Sequence, residues 1–452
     1  MKIAIIGAGG YVFPLRLIGD VLSFPELRDC TISLMDIYLD RAERTRDAAR
    51  EIIDHHGFQT RVEATDDRQK ALDGADFVII TFYIGDDETR RIDKEIPLKY
   101  GIDQTVGDTI GPGGVFSFMR AAPVYEGIVD DIEELCPNAQ VINYANPMAM
   151  NCWFMSELGV TPVGLCHSVQ NTSHMLAQQL EIPYDDIQFR VAGINHQAWF
   201  LEFRRGDEDL YPRLYQVMGE RFGRAQQLAN VAPDSGDHSV QQGATTYEGT
   251  QERVRTAIME AFGYFHTESS HHASEYMPYF RKSPELVAEY IPERWPPHPA
   301  DRVRDVEGRT REYVARFKEK LEASSEYGAF IMHSMVTGQP RVIYGNVPNH
   351  GLIPNLPERC TVEVACLVDS NGVQPTAPGP LPPQCAAVNR TNINVQELAV
   401  EAALTGDREH VYHAVALDPL TGAMLTLEQI RQMVDEMFEA ERDWLTELTA
   451  PI

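Results

Sequence analysis

Short apolar runs alternate with longer amphipathic stretches through the first half of the chain. Ile3–Ile6, Thr31–Met35, Phe77–Thr81 and Val141–Tyr144 are too short for buried helices, and Gly, Asp or Asn bounds them. They read as buried strands. Between them lie segments such as Asp40–His55, where Ala, Ile and Arg recur at helical spacing. That rhythm implies βαβ units, hence an α/β fold with a Rossmann-like, doubly wound parallel sheet covered by helices on both faces.

After about residue 195 the rhythm changes. Residues 205–330 look mainly helical and charged, with a break at Trp295-Pro296-Pro297-His298-Pro299. Pro340–Val373, rich in Val, Gly, Asn and Pro, reads as short strands and turns. The run Pro375-Thr376-Ala377-Pro378-Gly379-Pro380-Leu381-Pro382-Pro383 is a loop, because proline lacks the N–H that a helix interior needs. Two helices are expected near 394–405 and 426–445. The layout is a nucleotide domain over 1–195 and a C-terminal α+β domain over 196–452, with the active site between them.

Composition narrows the function. The 452 residues exceed one ordinary core, and 43% hydrophobic with 23% charged is usual for a globular protein. A net charge of -28 repels phosphate backbones and anionic lipid, so neither nucleic acid nor membrane is an expected partner. The seven cysteines, at 30, 136, 152, 166, 360, 366 and 385, form no disulfide framework and read as reduced thiols. Met1–Gly7 already reads as a strand entering a turn, which leaves no room for a signal peptide, and no apolar run spans a bilayer. The expected compartment is the cytoplasm.

The turn itself is Gly7-Ala8-Gly9-Gly10, before a helical run that begins near Phe13. Glycines there let a pyrophosphate approach the helix N-terminus. Val12 stands where a third glycine would complete the fingerprint, so the turn alone is weak evidence. Asp36, ending the second strand, strengthens it: an acidic residue there accepts hydrogen bonds from ribose hydroxyls and favours NAD over NADP. A glycine turn in a non-nucleotide doubly wound fold is the competing reading.

Other candidates also follow strands. Cys166 in Gly164-Leu165-Cys166-His167-Ser168-Val169 and His196 in Gly193-Ile194-Asn195-His196 fall at strand ends, where open α/β sheets bind ligands. Thiolate and imidazole can share one metal, zinc or iron by ligand softness; a structural Cys and a hydrogen-bonded His are the commoner arrangement. Asn146, before Pro147, either binds a sugar hydroxyl or makes a turn. The loop Gln104–Gly114, with Gln104 and Asp108, either cradles a polar ligand or is a tight crossover. His271 and His272 with Glu268 and Glu275 suggest a second metal site, but such clusters are more often solvated or hydrogen-bonded surface.

Together these segments resemble glycoside hydrolase family four, especially its α-galactosidase (melibiase) branch. The likeness runs through Ile5-Ile6-Gly7-Ala8-Gly9, Leu34-Met35-Asp36-Ile37, Gly107–Gly114, Asn146–Asn151, Cys166-His167-Ser168-Val169-Gln170, Gly193–His196, Val342–Val347 and Val362–Asp369. The resemblance implies NAD, with manganese or another divalent metal held at Cys166 and His196. It implies cleavage by C3 oxidation, C2 deprotonation, elimination, water addition and re-reduction, outside two-carboxylate hydrolysis. Gly7, Gly9, Gly10, Phe13 and Asp36 would bind the cofactor, Asn146 and Gln104 the substrate. His167 is the candidate acid and Asp108 the candidate base, with Glu268, Tyr264 and Tyr276 as other bases. An α-galactoside is the expected substrate, α-galacturonide or α-glucuronide the alternatives, and uronides would need a cation such as Arg90, Arg91 or Arg120. Homodimers or homotetramers are implied. A plain NAD-dependent hydroxy-acid dehydrogenase shares the glycine turn but gives Cys166 and His196 no task.

Overall fold

The computed structural model describes residues 1–10, 13–85, 87–223, 252–291 and 305–445. The expected break at Trp295–Pro299 and the expected third-glycine position at Val12 lie outside the described residues.

Six parallel strands build the first half: β1 (Lys2–Ile6), β2 (Thr31–Met35), β3 (Arg61–Thr65), β4 (Phe77–Ile80), β5 (Gln140–Asn143) and β6 (Val163–Gly164). Their order is β3-β2-β1-β4-β5-β6. The order reverses at β1, which pairs with β2 on one side and β4 on the other, and such a switch opens a ligand crevice at the strands' carboxyl ends. Ile3, Ile5, Leu34, Val78, Ile79 and Ile80 are buried on both faces of the sheet, as their unbroken apolar runs require. β3 escapes the apolar-run criterion because Arg61 and Glu63 sit on an edge strand covered less completely.

The helices that cover these strands are amphipathic. α1 (Phe13–Ser23) buries Leu15, Leu17, Ile18, Val21 and Leu22. α2 (Leu39–His56) buries Ala42, Thr45, Ala48, Ala49, Ile52 and Ile53, a stripe at helical spacing. Burying each isoleucine contributes about 1.5–3 kcal/mol. α2 ends at Gly57, whose φ of 70° lets its N–H turn back to the Ile53 and Asp54 carbonyls. α3 (Arg68–Leu72), α4 (Asp87–Lys99), α5 (Gly111–Leu135), α6 (Met148–Glu157) and α7 (Ser168–Gln179) complete this half.

The second half does not build a sheet of its own. β7 (Gln188–Ile194), β8 (Gln197–Arg205), β9 (Glu208–Asp209), β10 (Phe265–His266), β11 (Arg341–Pro348), β12 (Thr361–Asp369) and β13 (Gly372–Pro375) extend the first sheet by antiparallel pairing. The junction is Asn346 of β11 against Gly164 of β6. β11 and β12 are longer than the short strands expected, because pairing along eight residue positions satisfies their backbones. Helices Tyr211–Phe222, Arg253–Phe262, Pro284–Tyr290 and Val306–Glu319 match the helical reading of 205–330. The proline-rich loop is shorter than expected, since Pro375 still belongs to β13 and Pro383 opens helix Pro383–Thr405. Proline suits a helix's first position, where its missing N–H has no partner to lose.

Candidate active site

The glycine turn caps β1 at the switch point. Gly7 takes φ 89°, and a Cβ there would come within 2.7 Å of the Phe82 backbone. Asp36 Oδ2 accepts the Gly9 N–H at 2.8 Å and Oδ1 accepts the Tyr38 N–H at 3.0 Å, so this carboxylate is fixed at the turn's edge. A Cβ on Gly9 would lie 2.6 Å from Asp36 Oδ2, whereas one on Gly10 would meet nothing closer than Pro14 Cδ at 3.4 Å. A side chain is thus excluded at both Gly7 and Gly9 but not at Gly10. Ile37 beside Asp36 is 73% exposed, an apolar face left open for a flat ring. These features fit a dinucleotide: a turn without side chains, a fixed carboxylate and an adjacent apolar surface. Phe13 opens α1, its ring edge-on to Tyr144 at 5.0 Å and to His167 at 6.1 Å. It links the turn to the next strand ends.

Cys166 follows β6, and His196 occupies the two-residue turn between β7 and β8. The two converge, joined by Glu268 from just beyond β10. One ligand atom from each lies within 4.8 Å of the others. Cys166 Sγ is 3.8 Å from Glu268 Oε2, and His196 Nε2 is 3.6 Å from the same oxygen. A cation about 2.0–2.3 Å from each donor needs separations of this size. Burial and the Glu268 and Glu363 carboxylates push the Cys166 thiol well above its ordinary pKa. Burial pushes the Glu268 carboxyl up, but His196, His272 and the Ser269 N–H outweigh it and bring it to about 2. Glu363 is buried nearby and neither of its oxygens has a hydrogen-bond partner; His196 Nδ1 is equally orphaned. Thiol and carboxyl groups gathered round one imidazole, with orphaned polar atoms among them, fit a divalent cation.

Glu268 is one of the alternative bases named from the sequence, and the cluster it forms with His271, His272 and Glu275 reads there as solvated or hydrogen-bonded surface. Instead His271, His272 and Glu275 are buried, and the His272 ring packs 4.6 Å from that of His196. The Glu275 carboxylate accepts the N–H groups of Thr105, Val106 and Gly107 at 2.5, 2.7 and 3.1 Å. Arg281 bonds the Asp103 carbonyl and Thr105 Oγ1. C-terminal side chains therefore shape the loop that carries Asp108. Burial raises the Asp108 pKa against the pull of His272 and His196, and its Oδ1 has no hydrogen-bond partner. Gln104 Nε2 donates to the Ile110 carbonyl within the loop, which leaves Oε1 for a ligand. The Tyr276 hydroxyl, held up by burial, neighbours Thr109 and Asp108.

His167 begins α7 with its side chain 47% exposed, so a ligand can reach it. Its Nδ1 lies 3.1 Å from Glu326 Oε1, which also sits 3.2 Å from Arg16 of α1. Burial lowers the His167 pKa, Glu326 more than offsets this, and the net shift is upward. Asn146 lies beyond the end of β5, half-buried, two residues before α6. Of the arginines, Arg120 is fully buried against Asp93 at 2.7 Å and against Glu441. Arg91 pairs with Glu88 and Glu95 on the surface, and Arg90 stacks 4.0 Å from the Tyr83 ring centre.

Residues 2–182 match the model for family 4 glycosyl hydrolases, and residues 191–421 match the model for that family's C-terminal domain. An α-galactosidase of Bacillus subtilis (strain 168) is 38% identical over 452 residues, covering 99% of each chain. An α-galacturonidase of Thermoanaerobacter italicus (strain DSM 9252 / Ab9) is 30% identical over 464 residues, covering 98% of this chain and 97% of the relative. The fold is shared with a crystal structure of 6-phospho-α-glucosidase from gut microorganisms in complex with NAD and Mn2+. That likeness has a TM-score of 0.77 at 20% identity and covers 98% of each chain.

Proposed function

The chain belongs to family 4 of the glycosyl hydrolases, and on that premise we propose that it is an NAD- and divalent-metal-dependent α-galactosidase. One observation carries the reading: Cys166, His196 and Glu268 meet at the same edge of the sheet as the Gly7–Gly9 turn. The nicotinamide supplies reversible hydride transfer at a sugar carbon, and the cation, manganese by resemblance, supplies charge stabilisation at the sugar oxygens.

The chain's own groups have separable tasks. Asp36 and the glycine turn orient the dinucleotide, with Gly10 and Phe13 lining its path. Cys166 Sγ, His196 Nε2 and Glu268 Oε2 hold the cation; the thiolate makes the site sensitive to oxidation. Asp108 takes the C2 proton, since a raised carboxyl pKa brings a base closer to neutrality. His167, anchored through Nδ1 by Glu326, delivers a proton from Nε2 to the leaving oxygen. Asn146 and Gln104 Oε1 bind sugar hydroxyls.

A galactoside is favoured over a uronide because the α-galactosidase relative is 38% identical against 30% for the α-galacturonidase, and because of the three candidate arginines Arg120 and Arg91 are paired with carboxylates and Arg90 is stacked on Tyr83. All seven cysteines are free and buried, which suits the reducing cytoplasm. Among the described residues no helix is long and apolar enough to cross a membrane. A homodimer or homotetramer rests on family resemblance alone. The test is hydrolysis of nitrophenyl α-galactoside and α-galacturonide with NAD+, Mn2+ and thiol present, then each omitted. The galactoside should be cleaved faster, and omission of NAD+ or Mn2+ should abolish turnover. Turnover without either additive by protein stripped of both would refute the mechanism. Preference for the galacturonide would refute the substrate assignment.

A further inference from the structure

We infer that Glu363 is a positioning group for the cation, supplying negative charge behind His196 that keeps a divalent metal on Cys166, His196 and Glu268. The inference rests on the metal reading above. Glu363 lies in β12 with no exposure, its Cα paired with Gly193 of β7 on one side and Asn346 of β11 on the other. Asn346 pairs in turn with Gly164 of β6. Paired residues on adjacent strands project to one face, so this row spans from two residues before Cys166 to three before His196. On that face Met148 and Cys152 of α6 pack against Gly164, and Cys166 joins their cluster.

A carboxylate seldom sits in such a place without a partner. No described Lys or Arg pairs with Glu363, and neither oxygen has a hydrogen-bond partner. Its electrostatic neighbours include the uncharged Asn346 side chain and also His196, Glu268 and Cys166, three groups already suited to one cation. A buried polar group whose oxygens find no hydrogen bond destabilises the fold, so its presence calls for another state that uses it. Negative charge near a bound dication is that use. Water is excluded here, so the attraction is less screened than at a surface. Groups behind metal ligands commonly change metal affinity by about 10–100-fold when removed.

The isosteric Glu363→Gln variant separates this role from a packing role. Mn2+ affinity is read from the free-ion electron paramagnetic resonance signal during titration with protein, and Tm is measured without metal. Glu363→Gln should weaken Mn2+ binding at least about tenfold. It should leave NAD+ affinity unchanged and the metal-free Tm close to wild type, because Gln matches the buried carboxyl in size and polarity. Glu363→Asp, which keeps the charge, should bind Mn2+ more tightly than Glu363→Gln. Unchanged Mn2+ affinity in Glu363→Gln, or a lowered metal-free Tm with affinity equal to Glu363→Asp, overturns the inference. Wild-type protein that fails to bind Mn2+, or Cys166→Ser that binds it as well, overturns the metal reading and this inference with it.

Discussion

Replacing Gly9 with alanine tests whether the turn is shaped by Asp36. The new Cβ would stand 2.6 Å from Asp36 Oδ2 and 2.6 Å from Arg41 Cβ, closer than real Cβ contacts. Relief requires the Asp36 carboxylate to swing away, which breaks the 2.8 Å bond from the Gly9 N–H, or α2 to retreat at Arg41. A hydrogen bond to a charged acceptor contributes about 1.5–3 kcal/mol, and the lower end applies at this half-buried position. Overpacking adds about 1–3 kcal/mol. The cofactor-free protein should therefore lose about 2.5–4.5 kcal/mol.

Cofactor affinity should fall as well, because a displaced Asp36 no longer meets the ribose. Ten- to hundredfold weakening corresponds to about 1.4–2.8 kcal/mol. Gly10→Ala is the control: its Cβ would meet Pro14 Cδ at 3.4 Å, an ordinary contact, so cofactor-free stability should change by less than about 0.5 kcal/mol. Urea unfolding gives the stabilities and calorimetric titration gives the NAD+ affinities. Wild-type stability and NAD+ affinity in Gly9→Ala would refute the reasoning. So would equal destabilisation by the two alanines.

Three further outcomes follow from the charges. Burial lifts the Asp20 carboxyl to about 7 despite two hydrogen bonds from Ser324, so its stabilising contribution is complete below the unfolded value near 4 and is lost as pH rises through 7. Asp20→Asn removes that slope, so urea unfolding should show the variant gaining about 2–3 kcal/mol on wild type between pH 5 and pH 8; a constant difference would contradict it. His167→Asn should reduce kcat about 10²-fold or more for galactosides with poor leaving groups and much less for nitrophenyl substrates, and an equal loss on both would remove the acid role. Glu275→Ala strips the acceptor from three loop N–H groups and should cost about 3–5 kcal/mol by denaturation, with kcat falling as Asp108 shifts; wild-type stability would count against this account of the loop.

Features that depend on neighbours in the chain were legible in the sequence, and features made by distant pairing were not. Strand, glycine turn and Asp36 lie within one βαβ unit, and their apolar runs and turn residues announce them. Cys166 and His196 stood out because strand ends line ligand crevices in such sheets. Glu268 reaches them only because β10 pairs with β8 through Phe265 and Phe200, a contact with no local signature. Glu275 and His272 read as solvated or hydrogen-bonded surface because charged and polar side chains usually stay near water. Their partners, the 105–107 N–H groups and His196, lie far away in sequence. Glu363 did leave a trace: a lone charge inside Val362-Glu363-Val364-Ala365-Cys366, a run otherwise fit for a buried strand.

The start of β8 ties the ligand geometry together. Four non-glycine residues with positive φ occur among the described residues, and two of them are His196 at 61° and Glu268 at 71°. Each such residue costs about 1–2 kcal/mol, so the surroundings must impose it. Gln197, directly after His196, receives hydrogen bonds from Asn389 at its carbonyl and side chain and from Asn392 at its side chain. Ala198 bonds both ways with Thr267, at 2.8 and 3.0 Å, which fixes the residue before Glu268. Two adjacent residues of one strand thus set two of the proposed ligands, while Cys166 arrives separately from β6. A cation held as proposed by these donors would have to accept the spacing β8 dictates, so backbone geometry would select the metal as well as donor softness.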